Sequence, residues 1–343
     1  MLRKAVKYAG LVVSLALSAQ AQSNGPKQID IGAAKAPLTD AEREDLAKAV
    51  AAHNYAAEKA VIDKAAVEHP QSPELQVMAG RLAYLERHAK DAADAYERAA
   101  KIKPLSEEDR LSLAIAWQAT GRRREARDAM VELTKDFPKD AEYEFLLGRF
   151  DSQNRHFEAA VADLQKALQL NPKLLKAYED LGRTQETLGL SEEARKTYEA
   201  GVARNREDGA RWDSSPVDLG AMLLKTGELD EAEKLFREAL SYQPRSGWAH
   251  YYLAQIYEKR DRREEAIAEY NAAVAAVPNL RQAWLALGRE YARAGQKEQA
   301  ERSLAIFKQL EAREEARKGG QSLDSLTEPE SSTQDAPAAN KRP

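Results

Sequence analysis

Cysteine is absent from all 343 residues. That excludes disulfides, zinc–thiolate centres and a thiol nucleophile. It is compatible with an oxidising compartment without indicating one. An excess of basic charge is also missing. The formal charge is −4, and residues 1–21 carry Arg3, Lys4 and Lys7 with no acid, so the remainder is more acidic still. Nucleic acid is therefore not an expected partner. The apolar run Ala9–Leu17 falls well short of the ~20 residues a bilayer span needs. Catalytic signatures are lacking too: there is no G-x-G-x-x-G, G-x-x-x-x-G-K-[ST], G-x-S-x-G or H-E-x-x-H. The five histidines, His53, His69, His88, His156 and His250, are scattered. No catalytic residue, metal ligand or cofactor is assigned.

What is present is a hydrophobic fraction of 43% and a charged fraction of 31%, a balance that fits a soluble, ordered, helix-rich protein. Residues 1–21, MLRKAVKYAGLVVSLALSAQA, have the form of a secretory signal: a basic start, a short apolar run and the A-x-A site Ala19-Gln20-Ala21. The alternative is an uncleaved anchor, but the run is too short to span. The reading predicts cleavage near Ala21, a periplasmic or secreted protein, and no transmembrane span once the signal is removed. Without cysteine, acylation at a cysteine is excluded. Residues 22–38 are small and polar without a sustained period, a flexible spacer. Thr39 and Glu42 then have the spacing of a capping box.

From Pro70 a ruler runs through the chain. Pro70, Pro104, Pro138 and Pro172 are 34 residues apart, as are Pro244 and Pro278; the gap between Pro172 and Pro244 is 72, two periods plus four residues. In register with it, small residues recur at Gly80, Ala114, Gly148, Gly182, Gly220, Ala254 and Gly288, and again at Ala92, Ala126, Ala160, Ala194, Ala232, Ala266 and Ala300. Larger apolar residues recur at Tyr96, Met130, Leu164, Tyr198, Phe236, Tyr270 and Leu304. Turn glycines stand at Gly121, Gly189, Gly227 and Gly295. In the last unit, Trp284, Leu287, Gly288 and Tyr291 fall at i, i+3, i+4 and i+7, one face of a helix. Ala300, Leu304 and Phe307 stripe a second. Neither helix buries its stripe alone, so each pair must stack on others. Small residues are expected where helix backbones cross, proline should end each second helix, and Ser72-Pro73, Ser106, Asp140 and Asn279 are placed to cap the next one.

A 34-residue period with this W/L-G…Y…A…F…P spacing resembles the tetratricopeptide repeat family. The resemblance implies an all-α fold, an α-solenoid (superhelix) of stacked helix–turn–helix repeats. Residues 39–70 form a degenerate N-terminal pair, 71–204 repeats one to four, 205–216 an inter-repeat insertion, 217–310 repeats five to seven, and 311–343 a charged helix extension and disordered tail. Departures are Glu58 at a small position, Arg206 where proline is due, and Leu133 and Phe307 where alanine is usual. The insertion is expected to sit in a loop that leaves the helices undisturbed. Its Trp212 either packs over neighbouring helix ends or belongs to a hinge or binding loop.

In this family the first helices line a concave groove. By alignment its partner-binding positions hold Arg81, Arg149, Arg183 and Arg289, whose planar forks suit carboxylates; the alternative is that they pair with nearby Glu residues. The family's asparagine clamp is not matched, since Asp180, Arg183, Asp218 and Ala221 stand there. Trp248 and Tyr251 are further contact candidates, with Tyr252 assigned to the core. The expected function is a non-catalytic envelope scaffold holding a protein or peptide partner in the groove, with secretion, pilus or outer-membrane assembly as settings. An envelope-glycan-binding module is the alternative. An enzyme is disfavoured because the assigned segments leave no stretch of typical domain length. Oligomeric state is not readable.

Overall fold

The structure, a computed structural model, describes residues 36–318. The expected signal peptide, most of the spacer and residues 319–343 lie outside them. Sixteen α-helices are present and no strand occurs among the described residues. In chain order they are α1 (Asp40–Ala51), α2 (Tyr55–Glu68), α3 (Pro73–Leu85), α4 (Ala89–Ile102), α5 (Glu107–Ala119), α6 (Arg123–Asp136), α7 (Ala141–Gln153) and α8 (Phe157–Leu170). There follow α9 (Leu175–Thr187), α10 (Ser191–Glu207), α11 (Ser214–Thr226), α12 (Leu229–Tyr242), α13 (Gly247–Lys259), α14 (Arg263–Ala276), α15 (Arg281–Arg293) and α16 (Lys297–Lys318). The fold is all-α, a solenoid of stacked helix–turn–helix repeats.

Two compact units divide within α6, between Ala129 and Met130. In the first, α1 to α5 each pack on the next, and α3 also touches α5. In the second, α7 to α16 pack in succession, and the first helices α7, α9, α11 and α13 also touch one after another. First helices thus form a layer of their own inside each unit. Ala36 and Leu38 join Leu46, Ile62, Leu75 and Met78 in the core of the first unit. The end of the expected spacer is therefore packed rather than free.

Local chemistry explains the boundaries. The side chains of Ser72, Ser106 and Asp140 cap α3, α5 and α7 by accepting backbone N–H bonds from Leu75, Asp109 and Glu142. Thr39 and Glu42 complete the capping box of α1. Asn279 departs from expectation: α15 starts from Leu280 with no side-chain cap. All six ruler prolines stand two residues beyond the end of a second helix, from Pro70 after Glu68 to Pro278 after Ala276. Each lacks the N–H that another turn would need.

The paired small and large positions interlock within each hairpin. The ring of Phe236, fully buried, lies over Gly220, so that a Cβ added there would sit 2.7 Å from Cε1. Tyr96 covers Gly80 in the same way, and Leu304 covers Gly288. The small residue is thus a socket for one side chain of the second helix, rather than simply a place where two backbones meet.

The turn between helices takes one conformation throughout. Left-handed φ occurs at Gly121, Gly189, Gly227 and Gly295, and equally at His53, Arg87, Arg155 and Asp261, the same position in the other four units. A side chain in this region costs about 1–2 kcal/mol, offset by the roughly 0.5–1 kcal/mol of entropy that glycine loses on folding. Arg155→Gly and Arg87→Gly should each raise stability by about 0.5–1 kcal/mol by that difference. Urea denaturation checks this; a loss of stability in both variants would contradict it.

The insertion differs from expectation. Arg206 lies inside α10, which has 17 residues where the second helices α2, α4, α6, α8, α12 and α14 have 14 each and only the terminal α16 is longer, with 22. Most of the four extra residues lengthen the helix by nearly a turn. Without proline at 206 nothing stops it, and two left-handed residues, Gly209 and Arg211, reverse the chain beyond its end. Buried Asn205 then grips the returning segment: its Nδ2 donates to the Trp212 carbonyl at 2.8 Å, and the Trp212 N–H donates to Oδ1 at 2.9 Å.

Candidate partner-binding face

The first-helix layer carries the residues singled out from the sequence, and they do not form one patch. In the first unit, Arg81 of α3 makes a two-pronged bond to Asp109 of α5, Nε to Oδ1 at 2.8 Å and Nη2 to Oδ2 at 3.0 Å. In the second, Arg149 of α7 reaches Asp180 of α9 at 3.1 Å. Arg183 pairs with the same Asp180 from its own helix. All three are tied to aspartates on first helices, not to glutamates; Arg81 and Arg149 stitch neighbouring repeats together, whereas Arg183 is held within its own helix. A bidentate pair of this kind is geometrically specific. Arg289 is exposed and makes no ion pair among the described residues.

Trp248 and Tyr251 lie in an aromatic cluster on α13. Trp248 is 42% exposed, the indole stacking on Tyr252 at 5.8 Å and meeting Tyr251 edge-on at 5.8 Å. Behind them Tyr252 stacks on Phe236, and Tyr251 leans on Tyr270. The cluster runs from solvent to core, with Tyr252 as the bridge. Half-buried rings held this way keep one geometry, which lowers the entropy lost when a ligand covers them.

Next to it, on α9 and α11, stand several carboxylates; of these, Asp180 and Asp218 were legible in the sequence only as departures from the family's clamp, and Glu179 was not singled out. Glu179 is 8% exposed and accepts the Trp212 indole N–H. Burial, then the facing Asp218, push its pKa up to about 8. Burial also raises Asp218 to about 7, against the pull of Arg183 and with Glu186, Asp180 and Asp213 adding to the rise. The nearby cations are already engaged: Arg149 and Arg183 at Asp180, and Lys225 at Glu186, 2.9 Å away. Asp218 makes no hydrogen bond or ion pair among the described residues. A signal was present in the sequence, because Asp180, Asp218 and Tyr252 share one repeat position once the four-residue insertion is allowed for.

No group of three or more His, Cys, Asp or Glu among the described residues is placed to hold a metal ion. No described helix is long and apolar enough to cross a membrane.

Comparison with known proteins agrees with the helical pattern. A tetratricopeptide repeat family profile matches residues 153–214 and 223–289, and a second profile of the same description matches 110–132. The chain is a tetratricopeptide-repeat protein. Among solved structures, a tetratricopeptide repeat protein from Parabacteroides merdae is 14% identical, with a TM-score of 0.55 over 73% of this chain and 98% of that one. The pilF protein of Pseudomonas aeruginosa is 18% identical, with a TM-score of 0.50 over 64% of this chain and 97% of that one. At such identity these likenesses show the fold alone. The curated protein O-mannosyl-transferase TMTC1 of Mus musculus is 27% identical over 172 residues, 49% of this chain but 18% of its own length. The human TMTC1 is 25% identical over 60% of this chain and 23% of its own length. The chain thus spans about a fifth of the curated relatives it matches. Stacked tetratricopeptide repeats are a scaffold for protein–protein interaction, and this chain has that architecture.

Proposed function

We propose that this tetratricopeptide-repeat protein is a non-catalytic scaffold of the bacterial cell envelope that holds a peptide segment or protein partner against its first-helix layer. Secretion, pilus or outer-membrane assembly are the settings this reading places it in, after export directed by residues 1–21. The observation that carries the binding reading is Trp248, a large ring left 42% exposed on a rigid aromatic base in that layer. Exposed tryptophan in a preformed surface is the residue type that most often anchors a partner. The transferase activity in the relatives' name is not carried over, because the match covers so little of their length.

The test places a photo-crosslinking p-benzoylphenylalanine at Trp248 in the full chain, expressed in its bacterial host. Irradiation should join it to a discrete envelope protein, and the same probe at exposed Val67 should not. The absence of any adduct at 248, or an equal adduct at both sites, would sink the reading. A second reading rests on the same ring: flat aromatic faces also stack on sugars. If peptidoglycan sedimented the native chain and Trp248→Ala abolished it, the glycan reading would displace the first.

A further inference from the structure

At three ruler prolines the carbonyl is bonded by the side chain six residues on. In the fourth repeat the Tyr178 hydroxyl donates to the Pro172 carbonyl at 3.2 Å, and in the seventh the Trp284 indole N–H donates to the Pro278 carbonyl at 2.8 Å. The sixth repeat places His250 there, with Nε2 3.1 Å from the Pro244 carbonyl. The other ring nitrogen, Nδ1, meets Oε2 of Glu269 on α14 at 2.6 Å. We propose that His250 is a proton-operated latch: as the imidazolium it holds the Pro244 carbonyl and Glu269 together, ordering the first turn of α13 that presents Trp248, and it lets go of one of them when the proton leaves. That the latch regulates partner binding rests on the scaffold reading above; the latch itself does not.

Hydrogen-bond chemistry decides the protonation state. A peptide carbonyl and a carboxylate only accept. Neutral imidazole carries one N–H, so it serves one of these partners while turning a lone pair on the other. Imidazolium carries two and serves both. Tyr178 and Trp284 bring a phenol O–H and an indole N–H, donors that hold the same contact without a second partner to satisfy. Burial by itself would lower the His250 pKa, but the bonds to Glu269 and the Pro244 carbonyl, with the charge of Glu269, outweigh it and hold the value above that of free histidine.

Among the described residues Glu269 is the one charged group that acts on the ring. The elements packed most closely against α13 are α11, α12 and α14. On α12, Glu238 bonds Arg206 and Tyr242, and Glu233 pairs with Arg237. On α11, Lys225 holds Glu186, and Asp218 bears on Tyr252 instead. On α14, Glu265 pairs with Arg262 and Arg263 reaches Glu290. The side chain of His250 is only 16% exposed, so water is a poor substitute for either partner.

The latch sits where α13 has little else to hold its start. The N-cap Ser246 makes no side-chain cap bond, and the first helical residue is Gly247, so the leading N–H groups draw no help from a capping side chain. Trp248 comes next. With the latch closed, the loop at Pro244, the first turn of α13 and α14 are tied together, and the indole keeps one orientation, which lowers the entropy lost when a partner covers it. The folded value of His250 lies above the unfolded one, so the latch contributes its full stability below about pH 6.5, the ordinary histidine value, and loses it as pH rises through the folded value.

The experiment uses the full chain labelled with 15N at its histidines, in long-range 1H–15N spectra from pH 5 to pH 9. The His250 signals are those missing from His250→Tyr. At the acid end both of its nitrogens should carry protons, and its midpoint should lie above that of free histidine. Glu269→Gln should lower that midpoint. The amide at position 250 closes the first turn on the Ser246 carbonyl at 3.1 Å. Its hydrogen exchange, corrected for the intrinsic effect of pH, should accelerate by about threefold or more through the same midpoint. His250→Tyr, which copies the donor of Tyr178, should abolish that acceleration with circular dichroism unchanged. A His250 midpoint at or below that of free histidine, or exchange at position 250 that ignores the titration, would overturn the proposal. Photo-crosslinking at position 248 should capture the partner more strongly at pH 6 than at pH 8, and His250→Tyr should remove the difference. Equal capture at both pH values, by a chain whose His250 titrates as described, would overturn the regulatory role and leave the scaffold reading standing. If nothing is captured at either pH while titration and exchange behave as described, the latch stands and the scaffold reading fails.

Discussion

Replacing Phe236 by alanine should cost about 3–5 kcal/mol, the range for removing a fully buried aromatic side chain. The ring is 0% exposed, lies across Gly220 and stacks on Tyr252 at 5.5 Å, so its loss opens a cavity shared by α11, α12 and α13. The reciprocal change tests the same lock. Gly220→Val drives a branched side chain toward Cε1 and Cζ of Phe236, where even a Cβ would stand 2.7 and 3.0 Å away, and should cost about 3 kcal/mol, the upper end for overpacking a core. The two positions must couple. In a Phe236→Leu background the Gly220→Val penalty should shrink, because the shorter side chain leaves room. Chemical denaturation of the four proteins of this cycle gives the coupling. Strict additivity would show that the glycine is not a socket for the ring. Two repeats already carry a milder version, pairing Ala114 with Met130 and Ala254 with Tyr270, so alanine at position 220 should be tolerated far better than valine.

The second large effect has the opposite sign. Glu58 stands in α2 at the position that is alanine in the other seven units; it is 0% exposed, and both its carboxylate oxygens are buried without a hydrogen-bond partner. A buried polar group left unsatisfied costs about 1–3 kcal/mol. Glu58→Ala should therefore stabilise the chain by roughly that amount and raise its melting temperature by several degrees. Burial and the neighbouring Glu86 hold the Glu58 pKa above its ordinary value, against the opposing influence of His53 and His88. Because the folded state holds the proton more tightly than the unfolded one, the group's stabilising contribution is complete below the ordinary carboxylate range. It is lost as pH rises through the folded value. The advantage of Glu58→Ala should accordingly be smallest near pH 4 and grow toward pH 7. Glu58→Gln, which cannot ionise, should remove that pH dependence while keeping the side-chain volume. A melting temperature for Glu58→Ala below the parent at pH 7 would refute this account.

Glu58 also marks how far the sequence could be read. Its exceptional position was visible against the alanines at 92, 126, 160 and onward. That it is enclosed without a partner was not, because burial of one side chain depends on where α1 and α3 close around it. The arginines show the same limit. Their recurrence in the first helices was legible, but that Arg81 and Arg149 are taken by Asp109 and Asp180 was not. Those partners stand 28 and 31 residues away, and no helical period relates such separations. The left-handed turns at His53, Arg87, Arg155 and Asp261 escaped notice because only the glycine-bearing copies announce themselves by residue type.

The sequence by itself determined the repeat: its 34-residue period, two helices per unit, the prolines that stop the second helix, and the small and large positions that interlock. These follow from the chemistry of single residues and their spacing along one or two turns, which chain order contains in full. Only the tertiary structure decided what each side chain has left to offer. The second helix of the fourth repeat ran on to Glu207, Arg81 and Arg149 were taken up by Asp109 and Asp180, and Glu179 was buried against the Trp212 indole. Those outcomes depend on distances between neighbouring repeats, which packing sets and which linear order does not encode locally.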